Sequence, residues 1–316
     1  MTTNRTNHTR WRRIWVSVII AVFVLLSVSM VATKLVYDSI FDRYDRPYTP
    51  PPDALTEMVA RRETMEYDGG DNRLTGYLYT ASQPRQALIV LAPGFHASVD
   101  DYLWQIKSLL EYGWSVFAFD TTGSCTSEGT SSVGFVQEVY DLEATLHYVE
   151  QHDRFGYTDV VLLGHSRGGY AACCALESSY DVAAVVSVSG VNSAMEAIMG
   201  SSVRYVGSLA YGNYGFLWLY QTMLFGASDV NLTAADAIAD SDVPVLIVHG
   251  DGDETVPMER YSIISHRDEI PQGTVEYIVC TQPQQNGHTD LLFDADGTAN
   301  DALMAQIDAF LQKHVA

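Results

Sequence analysis

The sequence predicts an α/β protein: a mostly parallel central sheet covered by helices on both faces, with an inserted cap. Short β-branched and apolar runs recur along the chain, separated by longer stretches of helical character. Those runs are apolar throughout rather than alternating, as strands buried on both faces must be. A third observation concerns the start of the chain, where residues 14–33 form a run without a charge.

That run, "IWVSVIIAVFVLLSVSMVAT", follows a short basic tail, residues 1–13, holding Arg5, Arg10, Arg12 and Arg13 and no acid. As a helix rising about 1.5 Å per residue it extends about 30 Å, enough to span a bilayer. The expectation is an uncleaved transmembrane signal anchor. A cleaved signal peptide is the alternative, with Ser27-Val28-Ser29 as a small-x-small site, and the apolar run's continuation through Met30, Val31 and Ala32 speaks against it. The positive-inside rule puts the arginines in the cytoplasm and the rest outside the cell membrane, although Lys34, Arg43 and Arg46 make the bias slight. Residues 34–60 include "YDRPYTPPPDA", too Pro-rich for a helix, and read as a stiff linker lifting the domain that follows, residues 61–316, off the membrane.

The composition supports a large core, with 316 residues of which 47% are hydrophobic. Net charge is −21, and residues 14–316 hold 14 basic against 39 acidic side chains. Such a surface repels phosphate backbones and excludes nucleic acid as a partner. Of the four cysteines, Cys173 and Cys174 are adjacent on a helix and point about 100° apart, so free thiols are expected. Cys173, Cys174 and Cys280 read as small buried hydrophobes, and Cys125 as a packed loop thiol.

Along the body, residues 73–81 alternate like a half-exposed strand. Residues 87–93, 114–120, 160–166, 182–190 and 243–250 are the continuous apolar strands, and residues 101–112, 136–151, 167–178 and 302–314 the helices. About residues 191–242, rich in Met, Tyr, Trp and Phe, the rhythm breaks for longer than a crossover needs, which reads as the cap.

The stretch "VVLLGHSRGGYAACC" carries the chemistry. Gly164-His165-Ser166-Arg167-Gly168 fits G-x-S-x-G between a strand and a helix, the setting in which a serine is forced into a strained turn with its hydroxyl above the sheet. The plain alternative is a helix N-cap serine. A serine hydroxyl needs a base, and the base an orienting acid, in the chain order Ser, acid, His. "VLIVHGDGDETVP" offers Asp253 just past a strand, flanked by Asp251 and Glu254, and "QNGHTDLLF" offers His288 before the last helix. Among nine histidines, His96 is the rival, since it too follows a strand end.

With these residues in place, the chain resembles the α/β-hydrolase superfamily, and within it the serine-aminopeptidase-like and monoglyceride-lipase-like branch that includes membrane-anchored bacterial hydrolases. The resemblance rests on "GHSRGG", "HGDGDETVP" and "GHTDLLF". It implies Ser166 as nucleophile, Asp253 as acid and His288 as base, with an oxyanion hole from the backbone N–H groups of Phe95 and Arg167. Two departures stand out: Pro93-Gly94 where His-Gly is usual, and "FDTTGSCTSEG", in which Thr122 replaces an Arg and Cys125 a Gly.

In the cap, Phe216, Leu217, Trp218 and Phe225 could line an acyl pocket or simply pack on the body. The reading is a membrane-anchored serine hydrolase acting on a small-molecule carboxylic ester, with an apolar acyl group expected from the cap's aromatic density. It needs no cofactor, and no Cys/His spacing suggests a metal. A peptidase or acyltransferase with the same triad, and a non-catalytic surface binding protein, are the alternatives.

Overall fold

The apolar runs become strands because each is buried on both sides. In β3 the side chains of Leu88, Val90 and Ala92 enter one core and those of Ala87, Ile89 and Leu91 the other, the two-residue period of a strand between two helical layers.

The computed structural model describes residues 3–152, 155–271 and 273–315. Met1 and Thr2 of the basic tail, and residues 153, 154, 272 and 316 of the expected catalytic domain, lie outside these. The chain opens with α1 (Thr3–Ile40) and α2 (Asp53–Arg61), then β1 (Glu63–Asp68), β2 (Arg73–Tyr79), β3 (Ala87–Ala92), α3 (Leu103–Glu111), β4 (Ser115–Asp120) and α4 (Phe135–Glu150). There follow β5 (Asp159–His165), α5 (Arg167–Cys174), β6 (Ala184–Val188), α6 (Ala194–Val206), α7 (Tyr214–Phe225), α8 (Ala234–Ala239), β7 (Val245–Gly250), β8 (Val275–Cys280) and α9 (Asp301–His314).

The strands form one sheet in the order β1-β2-β4-β3-β5-β6-β7-β8. β1 and β2 pair antiparallel, β2 joins β4 antiparallel, and every later pairing is parallel. Residues of α3 and α9 complete one core, and residues of α4, α5 and α8 the other. Since the parallel strands run alike, the loops after β3, β5, β7 and β8 gather at one edge, where an open α/β sheet presents its functional groups.

Three features differ from the sequence-based expectation. α1 is one unbroken helix of 38 residues, so residues 34–40 continue the apolar helix rather than begin a linker. Asp53–Arg61 is helical as well, following Pro52 as N-cap, which leaves only residues 41–52 as connection. The cap is also narrower than residues 191–242, because Ala234, Ala235 and Ile238 of α8 lie in the body's core.

Candidate active site

Ser166 stands where β5 turns into α5, with φ 56° and ψ −115°. This backbone is costly for a residue with a side chain and is held by its surroundings. The surroundings admit nothing larger than glycine: a Cβ on Gly164 would lie 2.0 Å from the Gly168 carbonyl oxygen, and one on Gly168 2.2 Å from that of Ala92. The glycines flanking the serine are therefore required by close backbone approach.

The Ser166 hydroxyl lies 2.8 Å from His288 Nε2, and His288 Nδ1 lies 2.7 Å from Asp253 Oδ2. A carboxylate only accepts, so Nδ1–H donates to Asp253 and Nε2 is left to accept from the serine. Asp253 is anchored in turn, its Oδ1 accepting from the amides of Thr255 and Val256, each at 2.8 Å. Burial acts to raise the Asp253 carboxyl, but hydrogen bonds from His249 and His288 and the Val256 amide outweigh it and hold the group well below the usual carboxylate range. The ionised state is thus secured beside the imidazole.

The rivals stand apart. Asp251 is exposed and accepts from Asn286 Nδ2, and Glu254 is exposed. His96 is stacked between Phe95 and Tyr44, at ring distances of 3.9 and 5.2 Å. Neither acid meets His288, whose carboxylate partner is Asp253.

Sequence reasoning left His165 as mere elbow. In the structure the Gly94 amide donates to Tyr102 Oη at 2.8 Å, and that hydroxyl lies 2.9 Å from His165 Nδ1. His165 Nε2 in turn lies 3.0 Å from the His288 carbonyl oxygen. Since that carbonyl only accepts, Nε2–H donates to it and Nδ1 accepts from the tyrosine. Burial, with the nearby His288, lowers His165 to about 3 and keeps it neutral. His165 thereby ties the loop carrying His288 to the loop after β3. The identity of this residue is visible in the sequence, but its partners lie 63 and 123 positions away.

The residues expected as oxyanion donors are Arg167, next to Ser166 in the chain, and Phe95. Arg167 opens α5, where the first amides have no intrahelical acceptor. Phe95 follows Gly94, whose ideal Cβ position is 3.4 Å from Ser166 Cβ. Arg167's guanidinium is buried, paired with Glu138 and donating to Thr121 Oγ1 at 2.9 Å. Thr122, at the departure from the expected Arg, donates from its amide and hydroxyl to Asp141 at 2.7 and 2.8 Å.

The connection after α1 is built into this site. Phe41 is 1% exposed, and its ring centroid lies 5.3 Å from that of Phe95 and 6.1 Å from that of Phe135. Arg43 donates to the carbonyls of Cys125, Ser127 and Gly129 at 2.5, 3.1 and 2.8 Å. Tyr44 exchanges backbone hydrogen bonds with Gly123 and Cys125 at 3.0 and 2.8 Å. Residues 41–44 are thus bound to the body instead of serving as a spacer. No local sequence signal marks this, because each contact is with residues far along the chain.

The four cap residues go different ways. Leu217 is buried in a cluster with Tyr37 and Phe41 against which Phe95 and Trp218 pack, and Trp218 Nε1 donates to Asn231 Oδ1 at 3.1 Å. Phe216 faces α1. Phe225 belongs instead to a separate buried cluster with Val136 and Ala194, and so joins cap to body.

Residues 87–215 match a protein family described as alpha/beta hydrolase fold. No curated protein matches the sequence. Among solved structures, the Pyrococcus furiosus esterase Pf2001 is 18% identical with a TM-score of 0.62, covering 87% of this chain and 98% of its own. Est1E from Butyrivibrio proteoclasticus with ferulic acid bound is 18% identical with a TM-score of 0.60, over 79% of this chain and 99% of its own. GrgF, an alpha/beta hydrolase from Penicillium sp. sh18, is 17% identical with a TM-score of 0.58, over 80% and 98%. At these identities the likeness is one of fold. Taken with the strand order and the elbow after β5, it gives the chain the alpha/beta hydrolase fold, and the Ser-His-Asp hydrogen bonds at that elbow are an arrangement of serine-hydrolase type.

Proposed function

We propose that the chain is a membrane-anchored serine hydrolase that cleaves carboxylic esters through an acyl-enzyme on Ser166. The observation that carries this is the unbroken hydrogen-bond chain from Ser166 Oγ through both nitrogens of His288 to Asp253. As the Ser166 oxygen attacks the acyl carbonyl, His288 Nε2 takes its proton, and Asp253 steadies the imidazolium that forms. The carbonyl oxygen, now negative, meets the amides of Phe95 and Arg167. His288 returns the proton to the departing alcohol, and water activated by the same histidine releases the acid.

In this reading residues 14–33 cross the cell membrane, the basic tail of residues 1–13 stays in the cytoplasm and residues 61–316 act outside. α1 includes a stretch, Arg10–Ile40, long and apolar enough to cross a bilayer, and its apolar window is unburied, which supports the anchor. The branch resembling serine aminopeptidases and monoglyceride lipases remains the reading for the finer relationship. An apolar acyl group suits the Leu217 cluster beside Phe95, and the esterase named among the similar structures favours an ester over an amide.

A panel of p-nitrophenyl esters set against aminoacyl-nitroanilides tests the proposal. Hydrolysis of the esters, with the anilides left intact, is the expected result. Preference for the anilides would replace the esterase with a peptidase.

A further inference from the structure

Arg167 brings more than an amide to the elbow. The residue is 2% exposed, and its guanidinium reaches three separate elements. Nη2 donates to Thr121 Oγ1, just past β4, at 2.9 Å, and stands 2.5 Å from Glu138 Oε2 on α4. The guanidinium carbon also lies over the Phe95 ring, 5.5 Å from its centroid, in the loop after β3. At that range a cation is attracted to an aromatic face.

The pair is a poor source of stability. Glu138 is wholly buried, and burial pushes its carboxyl up to about 8 even beside the Arg167 cation, so the desolvation of this carboxylate outweighs its attraction to the guanidinium. Asp141, equally buried, accepts from Thr122 and Gln137. Apart from the ion pair, neither oxygen of Glu138 has a hydrogen-bond partner among the described residues, and neither has Arg167 Nε. Apolar side chains of similar volume would hold the fold at least as well. The pair's place is more telling. Phe135 lies three residues before Glu138 and so on the same face of α4, with its ring centroid 6.2 Å from that of Phe95. α4 thus meets Phe95 directly through Phe135 and indirectly through Glu138 and Arg167. On the other side of Phe95, the Gly94 amide is held by Tyr102 Oη at 2.8 Å.

We infer that the Arg167 side chain is a positioning residue for the oxyanion hole, tying the loop that presents the Phe95 amide to the helix that presents its own. This rests on the hydrolase reading above, with those two amides as donors, and adds a side chain to the same site. Its charge is felt along that loop, since burial and the Arg167 cation together lower His96, the residue after Phe95.

The test uses the full chain in detergent micelles and two charge-free pairs. Arg167→Met with Glu138→Leu makes the pair apolar, and Arg167→Gln with Glu138→Gln makes it neutral but still polar. Both keep the backbone amides and strand no buried charge. For each, unfolding in guanidinium chloride is set beside butyrate-ester kinetics and the inhibition constant of a trifluoromethyl ketone, whose serine adduct places a negative oxygen in the hole. Each folded variant should lose kcat roughly tenfold with KM unchanged, and should bind the ketone more weakly by the same factor, because only the tetrahedral state draws on the hole. A merely structural pair would shift the unfolding midpoint alone. Wild-type kcat and ketone affinity in either folded variant would overturn the inference. Wild-type protein that neither hydrolysed the ester nor bound the ketone would instead remove the hydrolase reading, and this role with it.

Discussion

Replacing Phe41 with alanine probes whether the segment after the anchor serves catalysis. The ring is almost wholly buried and lies 4.5, 5.3 and 6.1 Å from the rings of Tyr37, Phe95 and Phe135. Truncating such a side chain costs about 3–5 kcal/mol in transfer and cavity terms. The kinetic effect is separable from that loss. Phe95 bears one of the two proposed oxyanion amides, and removing such a donor costs about 10²–10³ in kcat. Loosening rather than removing it should cost less, on the order of tenfold, mainly in kcat because substrate contacts remain. Phe41→Leu keeps most of the volume and should restore most of the rate. The assay pairs guanidinium unfolding in detergent micelles with butyrate-ester kinetics under conditions where each variant is fully folded. A Phe41→Ala variant that loses the stability but keeps wild-type kcat would refute the positioning argument and leave Phe41 as a packing residue.

Asp253→Asn should lower kcat by about 10⁴-fold, by analogy with the protease triad, and exposed Asp251→Asn by little; similar losses at both would misplace the acid. Acid should destabilise the fold: His165 is held neutral with its pKa lowered from 6.5 to about 3, so its contribution is complete above pH 6.5 and declines on acidification by about 1.4 kcal/mol per pH unit until both states are protonated. Asp253, also depressed, adds to the loss once pH falls below its unfolded value. Unfolding midpoints of wild type and His165→Gln measured from pH 7 to 4 check this, and parallel slopes would exclude His165 as the cause. Full-length protein should resist carbonate extraction from membranes. A chain beginning at Thr56 should leave the membrane but hydrolyse butyrate esters more slowly than wild type, and unimpaired activity would count against the role given to residues 41–44.

What the sequence disclosed, and what it hid, follows from where each signal resides. The parallel strands were legible because burial on both faces demands continuous apolar runs, and the elbow because Gly164 and Gly168 meet backbone oxygen at distances no side chain survives. β1 and β8 passed unnoticed since they are edge strands: β1 shows four of its six residues to water, and β8 has no fully buried position. Asp253 could be picked from its neighbours by position in a motif, yet its fitness comes from the Thr255 and Val256 amides and from His249, a tertiary arrangement. The proline-rich stretch concealed α2 and the docking of Arg43, because composition reports stiffness and not contact. The cap's aromatic residues looked equivalent in sequence, and only packing separates Phe225 in the cap-body junction from Phe216 on the α1 side.

The central claim is that Ser166 Oγ is the nucleophile that takes the acyl group from the substrate, activated by His288. Its most direct measurement is active-site titration of full-length protein with a fluorophosphonate, followed by mass mapping of the labelled peptide. One phosphonyl group per chain on Ser166, absent from Ser166→Ala and slowed by orders of magnitude in His288→Ala while both variants stay folded, is the expected result. Label on another residue, or equal labelling of the Ser166→Ala variant, would contradict the account.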